Sequence, residues 1–317
     1  MPDTLIPEDI PLDDEPQVFR VPDHMTLERL DKVLAQLVPQ HSRSRLQTWI
    51  EGGHVLVNGQ VAKVRQTVRE DDLITVFEQP APEDLAFTPE NVDFEVVAES
   101  PDWIVVNKPV GLVTHPGSGN WHGTLLNGLL YRYPELALVA RAGIVHRLDK
   151  DTSGLLVVAR NEVAQTNLVR QLQARTMGRK YLAIAHGRML NHGKVDKPIG
   201  RDPRVPVRMA VDSLSAPKAA VTHYALLRSG EYFDSNVSEV SCRLETGRTH
   251  QIRVHLASLG HPLLGDTQYG GRLLGLATRQ MLHAWQLRFE DIHGEPVEFE
   301  APVPLDMQRV QDGIKWK

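Results

Sequence analysis

The apolar run Leu155 to Ala159, which directly follows the polar segment His146 to Gly154, constrains the fold of this sequence most. Five consecutive leucine, valine and alanine residues predict a short strand that is buried on both faces. A strand fixed in a core holds the charged loop before it in a defined place. The sequence therefore predicts a rigid polar loop at the start of a buried strand, which can present a carboxylate.

The rest of the C-terminal part contains further short strands but no regular strand and helix alternation. Trp103 to Asn107 and Tyr181 to Ala185 are β-rich apolar runs. Between the second and third strands, the spacing of Ala164, Leu168 and Leu172 indicates one face of a helix. This pattern predicts an α+β fold with a mixed, largely antiparallel central sheet.

Composition divides the chain into four predicted parts. Residues 1–20 combine acids and prolines with few apolar residues, which predicts a disordered tail. Residues 21–77 have the helical and strand patterns of a small module, and residues 78–101 are acidic and proline-rich, as expected of a linker. Residues 102–317 then form the large C-terminal domain.

The small module is predicted to contain two helices followed by a hairpin at Asn58-Gly59, a pair that favours tight turns. At the start of its second helix, Ser42 can cap the helix while Arg43 and Arg45 lie near free backbone amides. Such an end attracts phosphate. A plain helix cap with solvated arginines would have the same local sequence.

The distribution of charge and the cysteine content indicate the cellular compartment and the kind of partner. The net charge is −5, but the acids are concentrated in residues 1–23 and 77–102, so that residues 103–317 are basic. No apolar run approaches the roughly 20 residues of a membrane span, and the N-terminus lacks the pattern of a signal peptide. With Cys242 as the single cysteine, these features predict a soluble, cytoplasmic protein without disulfides.

Three interpretations of the segment His146 to Gly154 come from its residues alone. A calcium loop beginning at Asp149 would place Arg160 where a bidentate glutamate is required. A metal-dependent phosphohydrolase would need a strand before the acids and a later acidic pair, and neither is present; it also predicts loss of activity with a chelator. The third interpretation is a salt-bridged turn without chemistry.

A resemblance favours a fourth interpretation. HRLDKDTSGLLVVAR resembles the signature of the RluA-type pseudouridine synthases, and NKPVGL, RKY and LETGRTHQIRVH are similar to their other motifs in the same order. The segment SRSRLQTWIEGGHVLVNGQ resembles the S4-type RNA-binding module. The likeness extends from about Phe19 to about Met307, and the phrases HPGSGN and HPLLGDTQYGG are most similar to the branch that acts on large-subunit ribosomal RNA.

This resemblance implies a catalytic set. Asp149 matches the catalytic aspartate, whose carboxylate could attack the ribose, add to the base or abstract a sugar proton. Arg253 matches the arginine that keeps this carboxylate ionised. Tyr181 matches a tyrosine that stacks on the target base, although a tyrosine in a strand is often simply a core residue.

The same resemblance implies substrate contacts. Arg147 matches an arginine that braces the helix from which the uridine is extruded, and it could instead pair with a neighbouring aspartate. Ile252 would pack on the other side of the base. Lys108, Lys150 and Arg248 are expected to contact phosphates, as is Arg272.

The expected activity is therefore isomerisation of uridines in a stem-loop of large-subunit ribosomal RNA or a pre-ribosomal particle. No cofactor or metal is expected, because the reaction is redox-neutral and the histidines lack metal-site spacing. A monomer is expected, since no heptad repeat is present. Two alternatives are a catalytically silent RNA-binding protein of ribosome assembly and a sister synthase that modifies other ribosomal or transfer RNA uridines.

Overall fold

The computed structural model describes residues 16–79, 84–117, 119–205, 207–212 and 215–317. The chain divides into two compact units, residues 1–82 and 83–317. In the described residues, no helix is long and apolar enough to cross a membrane.

The first unit packs two helices on a small antiparallel sheet. Its elements are β1 (Gln17–Arg20), α1 (Leu30–Leu37), α2 (Arg43–Glu51), β2 (Val55–Val57), β3 (Gln60–Val61) and β4 (Leu73–Val76). The strand order is β1-β4-β2-β3. The predicted turn joins β2 to β3, where Asn58 and Gly59 have φ of 52° and 76°. Leu34, Leu46 and Ile74 lie in the core of this unit.

Strand β1 corrects the predicted tail of residues 1–20. Gln17–Arg20 pair with β4, in register from Gln17 with Val76 to Arg20 with Leu73. The acidic, proline-rich composition conceals this strand because its hydrogen-bond partners come from a strand more than fifty residues later in the chain. The rest of the predicted tail, residues 1–15, falls outside the described residues.

The second unit is built on one large sheet. Its strands are β5 (Glu95–Glu99), β6 (Trp103–Lys108), β7 (Ser153–Ala159), β8 (Gly178–His186), β9 (His192–Asp196), β10 (Ile199–Arg201), β11 (Met209–Ala210), β12 (Ser215–Lys218), β13 (Val221–Tyr232), β14 (Ser235–Leu244), β15 (Leu282–Glu290), β16 (Pro296–Glu300) and β17 (Lys315–Trp316). Its helices are α3 (Leu125–Arg132), α4 (Glu162–Ala174), α5 (Gln251–Ser258) and α6 (Leu305–Gly313).

The strand order of the large sheet is β17-β13-β14-β8-β15-β7-β6-β5, with β16 on β15 and β9 on β13. Among its described pairings, β7 and β15 are parallel and the others antiparallel. A separate sheet has the order β11-β10-β12. The predicted α+β fold with a mixed, largely antiparallel sheet is confirmed.

Cores lie on both faces of the sheet around β6 and β7. Leu156 and Val158 pack with α3 on one face, while Leu155 and Val157 pack with α4 on the other. Every residue of β7 is buried. The apolar run therefore forms the predicted doubly buried strand, and the loop of residues 146–152 lies immediately before it.

The structure also shortens the predicted linker of residues 78–101. Asp84–Phe87 form a 3-10 helix and β5 pairs with β6. Phe94 lies in the core beside α3, and Asn127 donates hydrogen bonds to the carbonyls of Ala86 and Thr88. The second unit thus begins at residue 83 rather than at residue 102. The acids of β5 conceal it because they lie at the exposed positions of an edge strand.

Candidate active site

The loop before β7 presents the carboxylate of Asp149 to a cleft of about 960 Å³. The backbone N–H of Thr152 donates to the carbonyl of Asp149 at 3.0 Å and closes the turn. The Asp149 side chain is 17% exposed. It is therefore accessible from the cleft while its backbone is held.

A buried lysine ties this loop to the segment after β6. The ammonium of Lys108 donates to the carbonyls of Pro109, Leu112 and Lys150 at 2.9, 2.8 and 3.0 Å. Because Lys150 directly follows Asp149, these bonds fix the backbone that carries the carboxylate. Three acceptors also match the three donors of an ammonium group.

The predicted phosphate contact of Lys108 is wrong. Its side chain is fully buried, so no phosphate can reach the ammonium. Burial lowers the pKa of Lys108 to about 7, while the nearby carboxylates of Asp149 and Asp151 act to raise it. The lysine holds the loop instead.

The guanidinium of Arg253, in α5, is bound by three side chains. Its Nε and Nη2 donate to both oxygens of Asp266 at 2.7 and 2.9 Å, and Nη2 also donates to Gln268 at 2.8 Å. Its Nη1 donates to Oδ2 of Asp149 at 3.1 Å. The two charged groups expected to meet are therefore in contact, and Asp266 aims the arginine at the carboxylate.

The surrounding groups keep Arg253 charged and leave one oxygen of Asp149 without a hydrogen-bond donor among the described residues. Burial alone would lower the pKa of Arg253, but hydrogen bonds and charge from Asp266, with those of Asp149, raise it. Oδ1 of Asp149 accepts no hydrogen bond from any described residue. The nearest histidine nitrogen, Nε2 of His250, lies 3.9 Å away. Oδ1 is thus the oxygen available to a substrate.

Tyr181 and Ile252 line the same cleft. Tyr181 lies in β8, and Ile252 precedes Arg253 in α5. Both are buried members of the main core. Burial raises the pKa of the Tyr181 hydroxyl, an effect that the charge of Arg179 opposes. The hydroxyl therefore stays protonated near neutral pH and can donate a hydrogen bond.

Arginines make the cleft strongly basic. Those that line it are Arg141, Arg147, Arg175, Arg179, Arg248 and Arg253. Arg147 is exposed, and Arg248 is exposed with its Nε on the carbonyl of Ala219 at 3.1 Å. Lys150 and Arg272, by contrast, are exposed but do not line the cleft.

In the first unit, Ser42 caps α2 as predicted, because its hydroxyl accepts the backbone N–H of Arg45 at 3.4 Å. Arg45 donates to the carbonyl of Gln79 at 2.7 Å and lies over the ring of Trp49. Arg43 donates to Asp31 at 2.6 and 3.1 Å.

Asp31 is the buried centre of this cluster. Its carboxylate also accepts hydrogen bonds from Arg29 and Gln47. Burial would raise the pKa of Asp31, but these partners and Arg43 lower it to about 2. Arg43 therefore has a structural partner that the local sequence does not reveal.

Several site residues escaped the sequence interpretation. Asp266 and Gln268 hold Arg253, and Arg179 and His250 line the cleft. Asp266 and Gln268 lie within the motif GDTQYGG, which supported the family resemblance but gave no function to these two residues. Over the described ranges, no group of three or more metal-ligating side chains is present.

Comparisons with known proteins identify the families of both units. Residues 102–258 match the model of the RNA pseudouridylate synthase family, and residues 28–74 match the S4 domain. The ribosomal large subunit pseudouridine synthase D of Haemophilus ducreyi is 47% identical, over 90% of this chain and 91% of that protein. That of Neisseria meningitidis serogroup B is 49% identical, over 88% and 76%.

Among solved structures, human RNA pseudouridylate synthase domain containing 1 is similar with a TM-score of 0.57 and 30% identity. The match covers 76% of this chain and 92% of that one.

Proposed function

Since this chain belongs to the RNA pseudouridylate synthase family, we propose that it isomerises uridine in a stem-loop of large-subunit ribosomal RNA, with Asp149 as the catalytic carboxylate. One observation carries the assignment of the carboxylate. Nη1 of Arg253 lies 3.1 Å from Oδ2 of Asp149 in a cleft lined by arginines. The names of the curated relatives support the choice of RNA.

The reaction breaks the bond between ribose C1′ and N1, turns the base and joins C1′ to C5. The proton leaves C5 and one is gained at N1, so atoms and electrons balance without a cofactor or a metal. Each of the three chemistries open to an aspartate needs a free lone pair. Oδ1 of Asp149 supplies it, since Oδ2 is bound to Arg253.

The residues around Asp149 position the extruded base. Tyr181 stacks on the uracil from β8, with its protonated hydroxyl available for proton transfer, and Ile252 packs on the other side. Extrusion of a stacked base costs a few kcal/mol. Arg147, exposed at the cleft two residues before Asp149, braces the vacated helix.

Other contacts extend along the RNA backbone. Arg248 binds phosphate at the cleft, and Lys150 does so beside it. The S4 domain docks on the same RNA through the start of α2, with Ser42, Arg43 and Arg45. The protein works as a cytoplasmic monomer, on ribosomal RNA or on the pre-ribosomal particle. Buried Cys242, the sole cysteine, is compatible with a reducing compartment.

Tritium release from C5-labelled uridine in transcribed large-subunit RNA tests the assignment. Asp149→Asn should bind the RNA as the wild type does but lose turnover by about four orders of magnitude or more. Asp151→Asn is the matched control, because it changes a carboxylate of the same loop that does not line the cleft. Wild-type turnover in Asp149→Asn would show that the catalytic carboxylate is misassigned.

The same assay separates the alternatives. A catalytically silent assembly protein would bind RNA tightly yet release no tritium even as the wild type. A sister synthase would release tritium from other ribosomal or transfer RNA. Carbodiimide sequencing of a deletion strain would then map the missing pseudouridines to those molecules.

A further inference from the structure

Arg179 is a buried cation without an anionic partner. It lies in β8, where its side chain is on the same face as that of Tyr181 two residues later. Arg179 is 6% exposed, and it forms no hydrogen bond or ion pair with any residue in the described part of the chain. Its Nε is fully enclosed and has no acceptor. Burying an unpaired charge is strongly unfavourable, so this arrangement needs an explanation.

Other buried arginines of the same unit are fully bound. Arg253 contacts two carboxylates and an amide, as described above. Arg279 binds both oxygens of Asp306 and several backbone carbonyls. Arg179 lines the cleft as Arg253 does, but it differs from both of these arginines because its guanidinium has no acceptor among the described residues.

The loop that faces Arg179 leaves room for its guanidinium but supplies no acceptor. A Cβ at position 247 would lie 2.7 Å from Nη1 of Arg179, so the backbone of Gly247 lies directly beside the end of the guanidinium. Gly247 itself accepts no hydrogen bond from the arginine. The charge is thus enclosed between β8 and this loop, with unfilled donors toward the cleft.

His146 adds a second unfilled donor to the same cleft. Its Nε2 accepts the backbone N–H of Val157 at 3.3 Å, so the proton of the neutral ring is on Nδ1. Nδ1 is buried and has no acceptor. Burial and the nearby charge of Arg179 lower the pKa of His146 to about 3, and the ring therefore stays neutral. Because Nδ1 is enclosed, the Nη donors of Arg179 are the unpartnered groups that a ligand with acceptors can reach from the cleft.

We propose that Arg179, through its Nη donors, binds the phosphate next to the extruded uridine. The inference rests on the proposed function, because it takes as the substrate an RNA whose target uridine is extruded into the cleft. A phosphate is the anionic group of that substrate and accepts several hydrogen bonds, whereas a uracil carbonyl would leave the charge unneutralised. Arg179 and Tyr181 are about 7 Å apart along the strand, which suits a base and its neighbouring phosphate.

Single methylphosphonate substitutions test this contact. The probe is a synthetic stem-loop containing a uridine that the wild type converts, with each phosphate near it neutralised in turn. For the wild type, one position should weaken binding about tenfold or more, as expected for a lost charge-assisted hydrogen bond. Arg179→Met should bind the unmodified RNA weakly by a similar factor and lose nothing further at that position.

Salt dependence gives a second readout that a structural role would not change. Arg179→Met should reduce the slope of log Kd against log salt concentration by about 0.7 to 0.9, as expected when one phosphate contact is lost. Arg170→Met is the matched control, because Arg170 is exposed on α4 and does not line the cleft. It should leave both the slope and the methylphosphonate pattern unchanged.

Binding is measured in the Asp149→Asn background, so that a failure of catalysis does not affect the result. If Arg179→Met unfolds, Arg179→Lys retains a charge but not the planar donors, and it should keep part of the slope. The proposal is overturned if no phosphate near the uridine matters to the wild type. It is equally overturned if the variant suffers the same methylphosphonate losses as the wild type.

Discussion

The buried charges of the two units are arranged differently. In the first unit, Asp31 is fully buried and its carboxylate accepts hydrogen bonds from Arg29, Arg43 and Gln47. The network is closed around Asp31 itself, although the enclosed Nε of Arg45 and Nδ1 of His54 in the same unit have no acceptor. It joins α2 to α1 and leaves the buried carboxylate ionised.

In the second unit, the polar groups of the cleft are only partly satisfied. Asp149 has one oxygen on Arg253 and the other without a hydrogen bond from described residues. Arg179 and His146 have enclosed nitrogen atoms without acceptors. A network in which each polar group has a partner stabilises a fold, whereas polar groups without partners in a cleft mark where a substrate supplies the missing partner.

Among the substitutions that test this difference between the two units, removal of Arg253 should have the largest effect on stability and turnover. Arg253→Met leaves Asp266 buried without its cation, which should lower the free energy of unfolding by about 3–5 kcal/mol. Turnover should also fall by about a thousandfold or more, because Asp149 loses the donor on Oδ2. Urea unfolding and tritium release measure the two effects.

The double variant Arg253→Met, Asp266→Leu is the control, since it removes the uncompensated carboxylate as well. It should regain much of the stability but none of the turnover. Recovery of activity together with stability would mean that Arg253 acts only through the fold.

Lys108→Met sharpens the comparison within the second unit, because the lysine is buried but acts on the loop of Asp149. Loss of its three bonds to carbonyls should let the loop shift and reduce kcat about a hundredfold. Since the ammonium is out of reach of RNA, Kd should stay at the wild-type value. Single-turnover kinetics measure kcat and filter binding measures Kd. A change in Kd alone would support a contact between Lys108 and an RNA phosphate, which the burial of the ammonium argues against.

Asp31→Asn tests the closed network with the smallest expected effect. Loss of the charge-assisted bonds should lower the stability of the first unit by about 2 kcal/mol at neutral pH, with catalysis unchanged. Because folding lowers the pKa of Asp31 from 3.8 to about 2, the advantage of the wild type is present above about pH 4 and fades as pH falls toward 2.

Calorimetry of the full chain at pH 7, 4 and 3 measures this difference, and hydrogen exchange in α1 and α2 assigns it to the first unit. Asp71→Asn, which removes an exposed ion pair with Arg20, should change stability by less than about 0.5 kcal/mol. A difference between wild type and Asp31→Asn that stays constant with pH would contradict the closed network.

The sequence predicted the α+β fold, the strand β7 and the residues that meet in the cleft. Asp149, Tyr181 and Arg253 were placed together through motifs that each belong to one loop, strand or helix. It failed at β1 and β5, whose acidic or proline-rich surroundings resemble tail and linker. Both are edge strands, and their pairing depends on partners elsewhere in the chain.

The sequence by itself indicated which chemistry the chain carries, because the motifs that resemble the pseudouridine synthases each lie within a short segment. Only the tertiary structure decided which charged groups have hydrogen-bonding partners within the protein and which do not. Lys108 and Arg179 are both basic residues in strands, yet one is bound to three carbonyls and the other has no acceptor among described residues. That difference arises from contacts between segments far apart in sequence, where burial sets the protonation and partners of each group.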